Sequence, residues 1–104
     1  MKNETTIKAE ELREGDLVIQ YLDMTEPKRW DKNPLRVIGV HLDRSYREEL
    51  IERCNARKAR GLSTGPLGPN EGITYEATTQ GSRGGERTQY LDPESAVIVR
   101  TPRP

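Results

Sequence analysis

The chain has 104 residues, 17 basic and 17 acidic side chains, 32% apolar residues and no Phe, which suits one domain with a small core. Balanced charge removes any whole-chain pull toward nucleic acid or an anionic membrane, and a single cysteine, Cys54, excludes an intrachain disulfide and a cysteine-based zinc site. No apolar run reads as a signal peptide or approaches the ~18 residues of a membrane span, so a reducing, cytoplasmic location and no membrane partner are expected.

The first recognisable element is the stretch A-E-E-L-R-E-G-D-L-V-I-Q-Y-L, residues 9–22. Ala9–Leu12 makes one helical turn with Leu12 tucked inward. Gly15 supplies the backbone freedom for a turn through Glu14 and Asp16, and a strand follows at once. That strand, 16–22, places Leu17, Ile19 and Tyr21 on one face and Val18, Gln20 and Leu22 on the other. Leu35–Leu42 is a second strand, in which Gly39 marks a bulge or a close backbone approach. Ser45 and Glu48 have the spacing of a capping box, and Tyr46, Leu50, Ile51 and Cys54 recur at helical spacing. Gly61 closes the helix, which spans about 46–60. The Gly- and Pro-rich segment 61–72 reads as a mobile loop. Three strands complete the chain, 73–79, 87–91 and 95–100, with the Gly81–Gly85 turn and Asp92-Pro93 separating them.

The expected fold is therefore mainly β: a small antiparallel, partly open barrel or rolled sheet of about five strands with one inserted α-helix. The domain covers 1–100 with a helix-plus-loop insertion at 44–72, and 101–104 forms a flexible tail.

The opening, with Leu12, Gly15, Asp16 and Val18 in an L-x-x-G-D-x-V pattern, resembles the entry into the first long strand of Hint (intein-like) domains and of Src-homology-type small barrels. The resemblance implies a small barrel. It carries over no splicing chemistry, because self-splicing Hint domains start with Cys or Ser and end in His-Asn, whereas this chain reads Met1-Lys2-Asn3 and Arg103-Pro104. The texture, rich in Arg, Gly and Pro, is similar to that of small actinobacterial and phage proteins, which implies an assembly subunit as one setting.

The chemistry-bearing residues are few. His41, Asp43 and Ser45 suggest a triad, but His41 and Asp43 lie ~7 Å apart along one strand and no nucleophile elbow surrounds Ser45. One His, one Cys and the acidic Glu10, Glu11 and Glu14 form no recognisable metal set. Gly81–Gly85 is not followed by the Lys-Ser/Thr of a phosphate-binding loop, and Arg83-Gly84-Gly85 is a single RGG copy. No catalytic residue, metal or cofactor is expected.

Two basic clusters remain. In P-K-R-W-D-K, residues 27–32, Trp30 stands among Lys28, Arg29 and Lys32. An indole flanked by cations can stack on a base, anchor a protein interface, or simply close one end of the barrel. Along the helix, Arg44, Tyr46, Arg47, Arg53, Arg57, Lys58 and Arg60 belong to the only net-positive stretch, 44–60, with six basic and three acidic groups. Basic residues at a helix C-terminus suit its dipole, and they also suit a phosphate or an acidic partner. The apolar stripe either packs on the sheet or pairs with a second copy. The expectation is a non-enzymatic binding domain that acts through protein contacts or self-association. Nucleic acid is the first alternative, through the Trp30 loop and the basic helix end. A small-ligand pocket lined by Tyr21, Tyr75 and Tyr90 is the second.

Overall fold

The computed structural model describes residues 3–24 and 28–104. Six antiparallel strands form one sheet: β1 (Glu4–Lys8), β2 (Leu17–Tyr21), β3 (Leu35–Asp43), β4 (Thr74–Gln80), β5 (Glu86–Leu91) and β6 (Ala96–Arg100). Their order is β1-β6-β2-β3-β4-β5, so the sheet rolls without closing and ends on β1 and β5. One helix, α1 (Ser45–Ala59), is inserted between β3 and β4. The mainly β, partly open fold read from the sequence is the one observed. The strand added to that reading is β1, a short edge whose E-T-T-I-K carries one apolar side chain and so gives little periodic signal.

The core lies on the inner face of the sheet, built from Leu12, Val18, Tyr21, Val37, Tyr75, Ala77, Leu91, Val97 and Val99. In β4, Tyr75, Ala77 and Thr79 alternate inward as strand spacing requires. β2 departs from simple alternation. Its pairing with β6 shifts register between Val18 and Gln20, so Val18 faces Val99 and Tyr21 faces Val97. Val18 and Tyr21 both reach the core, and Ile19, expected on the face of Tyr21, is buried outside that cluster. β3 shifts register against β4 between Val37 and Gly39, which makes the Gly39 region a bulge. A side chain at Gly39 would meet nothing within 4 Å, so close approach is not the reason. Bulges bend strands and increase twist, and these two help the sheet to roll.

The opening turn folds as its sequence implies. Ala9–Glu11 is a single 3₁₀ turn, Leu12 is buried, and Gly15 adopts a φ of +97°. At its centre Asp16 is fully buried and accepts hydrogen bonds from the Arg13 amide at 2.8 Å and from Arg103 Nε and Nη2 at 3.0 and 2.9 Å. The second Arg103 contact is an ion pair as well. Burial pushes the Asp16 carboxyl up. The Arg103 and Arg13 hydrogen bonds, with the charges of both arginines, outweigh it and hold the pKa below its ordinary value. The T-P-R-P tail, read as loose, thus lies against this turn, with Arg103 Nη2 also donating to Glu11 O at 2.6 Å.

The insertion differs most from expectation. α1 starts one residue early, at Ser45, and Ser45 is not its capping acceptor. Arg44 stands at the N-cap without a side-chain cap bond, and Asp43, one residue earlier, accepts from the Ser45 amide at 2.9 Å and hydroxyl at 2.6 Å. The C-terminus does follow the Gly61 expectation. Gly61 N–H donates to Lys58 O and Leu62 N–H to Arg57 O, the paired bonds of a Schellman end. Residues 61–73 then run back beside the helix. The Arg47 amide donates to Gly72 O, and Arg47 Nη1 donates to Gly68 O and Glu71 O at 2.8 and 2.9 Å. Gly72 is required there: its φ is +79°, and a Cβ would sit 2.7 Å from Arg47 Cα. Helix and return segment make an arm. α1 buries no residue and packs substantially on no strand, and the molecule measures 58 × 27 × 26 Å. The apolar stripe of α1 therefore does not cover the sheet.

Replacing Arg103 with Ala leaves a buried carboxylate with only an amide for support, and should lower stability at pH 7 by about 2–3 kcal/mol. The contribution belongs to ionised Asp16. Its folded pKa is depressed, so the difference between wild type and variant is full above the unfolded value near 4 and fades as pH falls through the lower folded value. Urea titrations at pH 7 and pH 2.5 check this; an equal loss at both pH values contradicts the ion-pair account.

Candidate functional site

The structure separates the two basic clusters predicted from sequence. The Trp30 loop meets the start of β3, at Leu35, and the 81–85 turn. The arm leaves from the other end of β3, after Asp43. Nine residues of strand put these ends ~27 Å apart. Lys28, Arg29, Trp30 and Lys32 thus belong to one surface, and Arg44, Tyr46, Arg47, Arg53, Arg57, Lys58 and Arg60 to another.

At the Trp30 end the loop is clipped to its neighbours. Trp30 N–H donates to Ile19 O at 2.8 Å, and Arg29 bridges to Gln20. Arg29 Nη2 binds Asp31 Oδ1 at 2.7 Å and Glu4 Oε2 at 3.1 Å. The hydrogen bond to Asp31 chiefly raises the guanidinium pKa; desolvation opposes it, and Glu4 adds to the rise. Arg29 therefore serves the loop's own structure. Pro27, the first residue of the sequence motif, lies outside the described residues. The Trp30 ring packs against the core and meets Tyr21 edge-on, with centroids 6.1 Å apart and planes at 82°. Lys28 Nζ stands 5.8 Å from the Trp30 centroid, within cation–π range.

Between this loop and the β4–β5 hairpin lies a pocket of about 240 Å³. Trp30 and Leu35 supply apolar wall, Thr79 lines it below, and Lys28, Glu86 and Arg87 carry the charges. The Thr79 hydroxyl donates to Arg87 O at a long 3.4 Å. Beside Thr79 is the Tyr21 hydroxyl, buried and, among the described residues, without a partner in good hydrogen-bond geometry. Burial pushes the Tyr21 pKa up to about 12, against a smaller lowering by the Thr79 hydroxyl. Tyr75 does not share this pocket: its hydroxyl donates to Leu12 O at 2.8 Å. Burial, followed by the negative charges of Asp16 and Glu10, raises its pKa. Tyr90 pairs opposite Glu76, on the sheet face away from Tyr75, and is exposed. The three tyrosines read as one lining are thus dispersed. What sequence reading missed here is Leu35, Thr79 and Arg87, distant in the chain and joined only by the hairpin register.

On the arm, Arg47 is occupied by the return segment, and Arg53 lies 4.0 Å from Glu49 in an exposed i,i+4 pair. Tyr46, Ile51 and Leu62 are exposed at 53%, 42% and 46%. Lys58, Ile51 and Cys54 line a shallow hollow with Thr64–Leu67, so the return segment partly covers the stripe. Near the arm's base, His41 Nε2 faces Glu76 Oε2 at 3.9 Å, while the Ser45 hydroxyl donates to Asp43. Hydrogen bonding to Ser45 lowers the Asp43 pKa. Among the described residues no group of three or more His, Cys, Asp or Glu is placed to hold a metal ion, and no helix is long and apolar enough to cross a membrane. No protein-family model, curated protein or solved structure matches the chain.

Removing a buried hydroxyl that lacks a partner is close to neutral or stabilising. Tyr21→Phe should therefore melt at or above the wild-type temperature at pH 7. The raised folded pKa means that ionising Tyr21 disfavours the folded state, a loss absent below pH ~10 that grows as pH rises toward 12. Melting curves at pH 7, 10 and 11.5 should show a smaller alkaline loss in the variant. A Tm well below wild type at pH 7 would show that the hydroxyl is satisfied after all.

Proposed function

We propose that this is a non-enzymatic binding domain that acts through protein contacts, with the arm as its docking element. The observation that carries the reading is that α1 buries no residue and turns no face onto the sheet. A surface helix normally buries an apolar stripe against its own domain. Here Tyr46, Ile51 and Leu62 stay exposed on a projection fixed at its base by Asp43 and along its side by Arg47. Such a projection presents apolar anchors flanked by charge, the composition of an interface centre with a polar rim. An adaptor, an inhibitor or an assembly subunit fits that arrangement.

Ile51 and Leu62 are the useful probes. Leu50 is not, because its Cδ1 packs at Gly72 and a change there disturbs the arm itself. A photo-crosslinker placed at Tyr46 should capture a defined protein, and Ile51→Glu/Leu62→Glu should weaken that contact by about 30-fold or more, as expected for anchors worth about 2 kcal/mol. Sedimentation across a hundredfold range of concentration identifies the partner as a second copy if the mass rises. A constant monomer mass together with capture unchanged by the double substitution overturns the reading.

A further inference from the structure

The charge balance of the whole chain conceals a concentration of charge at the Trp30 end. Segments 28–36 and 80–87, which the fold brings together, hold six basic and two acidic residues, net +4, in a chain of net zero. Counting Glu4, which Arg29 holds, the end is still +3. Arg36 donates to a neutral partner, Gln80 Oε1, at 3.1 Å and makes no ion pair among the described residues. Lys32, Arg83 and Arg87 make no ion pair among the described residues. Lys28 and Arg87 line the pocket bounded by Trp30 and Leu35, Arg36 lines a second hollow that shares Gly81 with it, and Arg83 stands on the exposed turn between Gly81 and Gly85.

We propose that this end binds an unpaired nucleobase together with its adjoining phosphates. The pocket, about 240 Å³, falls below the ~300–1,000 Å³ typical of drug-sized ligands and suits a single ring system. Trp30 offers a π-face, the feature that bases of any sequence use for stacking. Lys28 stands over that ring on a flexible stem, so an entering base displaces the ammonium toward a phosphate. The Thr79 hydroxyl, which lines the pocket and makes only a long 3.4 Å bond to Arg87 O, supplies a polar group for a base edge. Arg87 in the pocket wall and Arg83 on the adjoining exposed turn supply cations for the phosphates. Gly81 and Gly85 line the pocket without side chains. A duplex cannot meet this geometry without flipping a base. A polyanion without bases meets the cations but not Trp30.

Trp30 is the only tryptophan, so its fluorescence reports directly. Titration with single-stranded dT8 at 20 mM NaCl should give saturable quenching. With about three phosphates contacted, the log–log salt slope should be near −2, so affinity falls about sixtyfold by 150 mM. Arg83→Ala/Arg87→Ala, both exposed positions, should flatten that slope by about 1.4 and weaken binding at least tenfold. Trp30→Leu, checked for folding by circular dichroism, should also weaken binding about tenfold, read by the anisotropy of fluorescein-labelled dT8. If dTMP binds within tenfold of dT8 the natural ligand is a free nucleotide; if only dT8 binds, it is a strand, and either supports the proposal. No quenching at 20 mM NaCl overturns it, as does heparin or a blunt duplex binding as tightly as dT8. The arm substitutions Ile51→Glu/Leu62→Glu should leave dT8 binding unchanged, which keeps this test independent of the docking role of α1; a loss matching the Arg83/Arg87 variant overturns the placement.

Discussion

Asp16 ties together segments that no local interaction would hold. Its carboxylate fixes the opening turn through the Arg13 amide and fixes the distant Arg103 through a two-armed contact. Its backbone carbonyl accepts from Val37 N–H, and Gly15 N–H donates to Val37 O, so the same turn sets where β3 begins to pair. Two residues before Gly15 is Arg13, and one further back is Leu12, whose carbonyl accepts the Tyr75 hydroxyl from β4. A buried carboxylate is tolerated only when its acceptor sites are filled by strong donors. Meeting that demand joins the turn to the 101–104 segment, and the turn's backbone groups bind β3 and β4 at the same point. In a domain with no Phe and a small aliphatic core, such polar constraint specifies geometry that apolar packing alone would leave loose.

From that point the sheet departs in two directions with different outcomes. Toward the start of β3 the strands curl around the core, helped by the register shifts in β2 and β3, and the Trp30 loop lies across the open end. Toward the end of β3 the inner face runs beyond the core: Val40 pairs opposite Ala77 and Leu42 opposite Tyr75, yet both remain about 40% exposed. The arm begins there. The elongation of the molecule is thus a consequence of β3 being longer than the core it serves. The same length keeps the Trp30 pocket and the arm at opposite ends, so each surface can be occupied without crowding the other.

The strands were legible because their burial is one-sided and periodic, as Tyr75, Ala77 and Thr79 show. The turn at Gly15 was legible because the backbone needs glycine at that φ. Errors arose where a tertiary partner overrides a local pattern. Ser45 and Glu48 have capping-box spacing, but Asp43 precedes them and its carboxylate already receives the Ser45 amide. Ile19 alternates correctly with Tyr21 in sequence, but one extra residue in the pairing changes the face. Arg103 carries no local signal at all, since its role depends on a carboxylate 87 positions earlier. For the candidate sites, Trp30 and its cations stood out by composition. Their relation to Arg36, Arg83 and Arg87 did not, because it is created by antiparallel pairing of β3, β4 and β5.

That last point bears on how net charge should be read. A total of zero says that charges balance over the chain, and steering depends instead on how folding distributes them. At ~0.15 M salt the Debye length is about 8 Å, so the Trp30 end and the arm, ~27 Å apart at their bases, do not share a field. An approaching anion meets a local excess of cations at the barrel end and is indifferent to the acidic groups elsewhere. Arg36 is also restrained by its bond to Gln80, and the loop bearing Trp30 is clipped to β2 and β1 by Arg29. A cation already positioned loses less conformational freedom when it meets a phosphate than one on a free stem. Arg29, the basic residue of the motif most firmly paired within the protein, thereby supports the surface presented by its neighbours.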